Sequence, residues 1–506
     1  MNYAYATRLT LPAARRQLAE LQRREFALNH ASGALEFDAV TLAPPANSVA
    51  RAQTIGVLGE TALLLVSSAE GVRLLDFLQE HIAELTPAER RSVTLLRRSG
   101  EMLRHVNLEE YLSFRKLANE ASAAWASAHE SRDFSRLEPW LARLFAAAKH
   151  IAHGAAPDTP EYDFWLDRNE EGLTEARCRE FFDSLRSVIS PLLRRAAALD
   201  EPDRSILDIR VSPLAQQRIA HANMDALGVD SYRCRLAVSD RPFTVAFSKY
   251  DVRMCTRYLP DSWTTSLYGV IHECGHALYE LNTAEAFQYT RLGAGASMGA
   301  HECQARFYEN MVGRSLPWTE FMWPMLERNI PELARYSPRD LFRAVNAVRR
   351  TPLRSEADEV SYCLHIMLRF EVESAIMSGE IDVHDAPAMW NSLAREYLGC
   401  EVRHDSEGIL QDSHWSAGQI GYFPSYALGT VTAAHLMARI RAGTDVDSAL
   451  RRGDTTGINS WLREHIWRFG ALYPPAELMD KALGGPVDVQ CYADYLSDKL
   501  REVYEV

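Results

Sequence analysis

The chain has 506 residues, 47% hydrophobic and 24% charged, an ordinary globular composition with length for one or two substantial cores. With 55 Lys and Arg against 68 Asp and Glu the formal charge is −13, which disfavours nucleic acid as a partner, since phosphate binding needs clustered cations. Eight scattered cysteines, no basic-then-apolar leader, and apolar runs as short as residues 62–66 predict a soluble cytoplasmic protein with neither a disulfide framework nor a membrane partner.

Helical periodicity runs through residues 13–31, 51–65, 71–85, 87–103, 108–129 and 134–153, up to a Pro/Gly/Asp-rich connector at 153–163. Residues 232–258 are dense in β-branched and aromatic side chains, with partial alternation at 243–247 and 252–258, which predicts a small antiparallel sheet. An edge strand there can accept an extended peptide as a further strand. The blander alternative is a purely structural hairpin. Residues 266–281 then read as a helix with Leu267, Val270, Ile271, Cys274, Leu278 and Leu281 on one stripe, and Asp261 or Ser262 as its cap. A second helix is expected over 298–312, with Ser297 as N-cap and Gly313 past its end. Helices resume from Trp318, interrupted at 336–338 and 418–424. One large helical domain over 1–506 is expected.

The sequence His272-Glu273-Cys274-Gly275-His276 is followed by Glu302. Histidines four apart share a helix face, so both imidazoles can reach one ion. Glu302 can complete the ligand set and Glu273 can act as general base on a water held there, the pattern of a zinc peptidase. A solvated helix with a chance histidine pair is the competing reading. Gly275 within a helix costs about 1 kcal/mol relative to Ala, which calls for a close-approaching backbone or substrate. Cys274 and Cys303, beside the ligands, are read as packing residues.

Several ordered elements resemble the carboxypeptidase Taq family of metallocarboxypeptidases. They are His301-Glu302-Cys303-Gln304 with Arg306, Asp251-Val252-Arg253, Arg354 with Ala357-Asp358-Glu359, and Gly408 with Gln411-Asp412 and His414-Trp415. Gly421 through Gly429 follows in the expected place. Departures stand at Arg241, where the family often has His, at Cys255 for Thr, at Cys303 for Ser and at Phe37 for Trp.

The resemblance implies a mainly α, neurolysin-like peptidase fold with a cleft and a small sheet beside the metal helix. Whether the N-terminal helices form a cleft wall or lid is left open by the sequence. The resemblance further implies a homodimer that removes single residues from peptide C-termini with broad preference, using zinc, with cobalt also able to serve. Arg354 is then the choice for gripping the terminal carboxylate, because guanidinium pairs with carboxylate bidentately. Its alternative is a helix-surface pair with Asp358. Asp358 or Glu359 can instead orient Arg354 or a ligand histidine. His414, Tyr422 and Tyr426 are candidate donors to the developing oxyanion, and Gln411 a candidate positioning or substrate group beside them. Rival functions are an oligopeptidase or peptidyl-dipeptidase on the same centre, a silent metal-bound scaffold, and a metal-free interaction protein.

Overall fold

Local signals set many helix ends. Thr86 accepts from the Glu89 amide while the Glu89 carboxylate accepts from the Thr86 amide, a reciprocal cap at the start of Pro87–His105. In the computed structural model, which describes residues 9–506, that helix is the last of four N-terminal ones. The others are Leu11–Thr41, Ser48–Ser67 and Ala69–Glu80, the first running well past its predicted end. The first eight residues, where a leader would begin, lie outside the described part.

These helices bury a small core of their own, including Ala14, Leu18, Leu78, Val93 and Leu96. The Ser48–Ser67 helix contributes little to it and exposes Val49 and Val57. The stretch Pro45–Ser67 is long and apolar enough to cross a membrane, with a mean hydropathy of 1.3 and only 6% of its window buried. Its apolar runs looked too short in the sequence because Arg51, Gln53 and Glu60 interrupt them.

The main core extends from Met102 to Tyr504 and takes in the remaining helices and two of the strands. Strands β1 (Cys234–Val238), β2 (Phe243–Ser248) and β3 (Asp251–Thr256) form one sheet in the order β1-β3-β2. The predicted antiparallel sheet holds for one pairing and is corrected for the other. β2 and β3 are antiparallel across a tight turn, whereas β1 and β3 are parallel, Cys234 opposite Val252. The reason is placement: β1 and β2 leave a slot, and β3 returns into it running the same way as β1. β2 is therefore an edge strand. The long N-terminal helix backs this sheet through a cluster of Phe37, Phe247 and Cys255. Among the described residues, the part of the cleft around the metal cluster is lined from Arg204 onward.

Candidate metal centre and substrate cleft

The helix Trp263–Leu281 carries His272, Glu273 and His276, and Met298–Arg306 carries Glu302. Ser262 occupies the N-cap position of the first helix but makes no cap bond, while Ser297 caps the second by accepting from Ala300 N. Gly275 has the reason its position demanded. A Cβ there would lie 2.4 Å from Gln304 O and 2.6 Å from Ala305 Cα, so the two ligand helices touch backbone to backbone. Gly429, in the helix Pro424–Arg441, does the same from the other side, where a Cβ would meet Cys303 N at 2.8 Å and Glu302 Cβ at 2.9 Å. Glu302 is thereby set opposite the histidine pair. One ligand atom from each of His272, His276 and Glu302 lies within 4.8 Å of the others.

Each of these three groups is tied on its outer side. His272 Nδ1 donates to Glu309 Oε2 at 2.9 Å. Arg306 Nε donates to Glu302 Oε1 at 2.7 Å and Nη1 to Glu309 at 3.2 Å. His276 Nδ1 lies 3.2 Å from His301 Nδ1, and His301 Nε2 lies 2.6 Å from Glu280. Such partners fix tautomer and ring direction and leave the inner nitrogens and Glu302 Oε2 for a cation. The donor set therefore fits a divalent metal with two imidazoles and one carboxylate.

The sequence reading missed Glu309, Arg306 and His301 as supports. A signal existed, because Arg306 at i+4 and Glu309 at i+7 share the face of Glu302. The expected single α-helix over 298–312 is corrected: the α form ends at Arg306 and a π-helical segment, Phe307–Gly313, carries Glu309.

Glu273 is buried, and Thr244 of β2 donates to its Oε2 at 2.5 Å. Burial pushes its carboxyl up to about 7, against the opposing pull of His272 and the Thr244 bond. Burial drives His276 well below the usual histidine range, so it stands neutral, as a ligand must be.

A cleft of about 1080 Å³ opens on this cluster and is lined by β2 residues Phe243 to Ala246 and by Arg354, Tyr362, Tyr422 and Tyr426. Arg354 donates through Nε and Nη2 to Asp412 Oδ1 at 3.1 and 2.7 Å, and its guanidinium lies over the Tyr426 ring at 5.2 Å. Asp412 also accepts from the fully buried Arg369 at 2.6 Å. Burial alone would raise the Asp412 carboxyl, but Arg369 and Arg354 hold it well below the usual carboxylate range.

The Arg354–Asp358 pair does not form. Asp358 caps the helix Glu359–Ser378, accepting from Val360 N and Ser361 N, and Glu359 is held by Lys499 and Tyr495. Neither touches Arg354 or a ligand histidine. Gln411 is occupied by backbone: its Oε1 accepts from Arg354 N at 2.8 Å, and its Nε2 donates to Pro352 O and Glu407 O. His414 lies behind the cleft with Nε2 3.1 Å from the Tyr426 hydroxyl, and burial lowers its pKa to about 4. Tyr422 is pushed up to about 12 and Tyr426 higher still, in both cases chiefly by burial, so both hydroxyls stay protonated.

The departures are spread out. Arg241 is exposed with its guanidinium 5.9 Å from the Trp125 ring, Cys255 and Cys303 are fully buried, and Arg253 pairs with Asp251 beneath Phe37 and Phe247.

A family profile described as carboxypeptidase Taq (M32) metallopeptidase matches residues 17–500. The chain belongs to that family. It is 34% identical to thermostable carboxypeptidase 1 of Pyrococcus furiosus over 96% of this chain and 98% of that one. It is 35% identical to carboxypeptidase 1 of Bacillus subtilis over 97% and 98%. A solved Pyrococcus furiosus carboxypeptidase superposes with a TM-score of 0.93 over 96% of this chain and 99% of that chain, at 34% identity. The M32 carboxypeptidase of Deinococcus radiodurans does so with 0.93 over 97% and 100%, at 30% identity. The mainly helical, small-sheet fold expected from the sequence is thus the fold of carboxypeptidase Taq enzymes, and a metallocarboxypeptidase, a hydrolase of peptides, is what membership supports.

Proposed function

We propose that this protein is a zinc carboxypeptidase that releases single amino acids of broad type from peptide C-termini, with His272, His276 and Glu302 holding the ion. Bound zinc, or cobalt in its place, supplies Lewis acidity at the scissile carbonyl. Glu273 takes the proton of the attacking water and returns it to the departing amine, a contribution of roughly 10²–10⁴-fold. Thr244 fixes which carboxylate oxygen faces the water. Tyr422 and Tyr426 donate to the oxyanion that develops on the carbonyl, and His414 acts through Tyr426 as a positioning residue. β2 pairs the substrate backbone as an added strand, because it is an edge strand that also lines the cleft.

The observation that carries the exopeptidase reading is Arg354. It is a guanidinium in the metal cleft, anchored to Asp412 through Nε and Nη2, with no hydrogen bond from Nη1 among the described residues. That arrangement presents a rigid cation to a terminal carboxylate. Gln411 sets the Arg354 backbone and is a positioning group rather than a substrate contact. The test is digestion of a peptide and its C-terminally amidated form. Loss of one residue at a time from the free acid alone is expected, and equal cleavage of both would leave an oligopeptidase or peptidyl-dipeptidase in its place. Metal analysis of the active protein is expected to return one zinc per chain.

We further propose a cytoplasmic homodimer. Eight unpaired cysteines, seven of them buried, suit a reducing compartment, and the exposed apolar face of Ser48–Ser67 suits a second copy of the chain. Sedimentation of the purified protein at twice the monomer mass is the expected result.

A further inference from the structure

Tyr362 stands in the first turn of the helix Glu359–Ser378, on the cleft wall between Arg306 and Arg354. The residue is 5% exposed, and its hydroxyl donates to no acceptor, the Arg354 guanidinium being a cation beside it. Buried hydroxyls are nearly always satisfied, because an empty one loses its water without compensation. Among the described side chains that line the cleft, it is the one hydroxyl closed to solvent that lacks a partner. The ring is not free to turn away. Arg306, itself fixed by Glu302 and Glu309, lies over it at 4.1 Å. Arg354, on the other side, directs two of its nitrogens at Asp412.

We infer that the Tyr362 hydroxyl donates a hydrogen bond to the terminal carboxylate of the substrate, sharing that group with Arg354. A carboxylate offers about four acceptor directions, more than one guanidinium face can fill, and an O–H donor with nothing else to bond suits the remainder. Burial, foremost, keeps the phenol protonated and able to donate, despite the nearby cations. The inference rests on the carboxypeptidase reading above, and it adds a second recognition residue that the sequence motifs did not indicate.

The experiment is binding, so that turnover does not intervene. Zinc-loaded E273Q and E273Q/Y362F are titrated calorimetrically with one peptide as its free acid and as its C-terminal amide. Removing the hydroxyl is expected to weaken the free acid about tenfold and leave the amide within about twofold. Thermal stability is expected to be unchanged or slightly raised, since no bond within the protein is lost. Equal weakening of both peptides, no weakening of either, or a drop in Tm of several degrees would overturn the assignment. If E273Q itself binds acid and amide alike, carboxylate recognition fails as a whole, and with it the exopeptidase reading.

Discussion

The proposed metal end of the cleft and the proposed carboxylate end are built on opposite plans. At the metal end every outer atom of the ligand set is spoken for, by Glu309, Arg306 or His301, so the inner atoms are aimed before any ion arrives. At the carboxylate end the scaffold is equally firm, with Asp412 clamped between Arg354 and Arg369, but the surface it presents is unfinished. Arg354 and Tyr362 both line the cleft, the first with bonds made only through Nε and Nη2 and the second with a hydroxyl that donates to nothing. A resident cofactor needs a site completed by the protein, and a transient substrate needs one completed by itself.

That contrast can be broken at either end. Glu273→Gln is expected to lower kcat by roughly 10²–10⁴-fold while metal content stays at the wild-type level. A variant that loses metal as well would place Glu273 in the ligand scaffold. Asp412→Asn leaves the buried Arg369 and the cleft-lining Arg354 without their anion and is expected to cost about 3–5 kcal/mol in urea unfolding. Because the folded-state pKa of Asp412 is depressed, its contribution is present above the unfolded value near ~3.9 and is lost as pH falls towards the folded one. The Asn variant should therefore show a shallower loss of stability in acid than the wild type.

Arg354→Ala should reduce kcat/KM for free-acid peptides by about 2–4 kcal/mol of transition-state binding and leave amidated analogues untouched, read from paired steady-state assays. Glu309→Gln acts on the metal instead. It should weaken zinc retention roughly 10–100-fold in a chelator competition without changing free-acid preference. Arg241→His, at an exposed position over Trp125 and within electrostatic reach of His414, should move kcat/KM by less than about fivefold.

How far the sequence foresaw these two ends follows from how local they are. His272 and His276 share a helix turn, so their spacing alone brings them together, and Gly275 announced a close backbone contact that proved to be the Glu302 helix. The partners of Arg354 were another matter. Asp358, four residues away, looked like its mate, but a residue opening a helix is worth more as a cap, and Asp412 reaches Arg354 from a different loop altogether. Strand direction was equally hidden, since alternation marks β1, β2 and β3 as strands without saying that β3 slots between the other two.

By itself, then, the chain determined its helical character, its sheet position and the pairing of His272 with His276, because each rests on periodicities of a few residues. Tertiary structure alone decided which charges support them, which way Arg354 is held, and that Tyr362 keeps an open bond on the cleft wall. Those depend on side chains meeting across segments far apart in sequence, where no spacing rule applies.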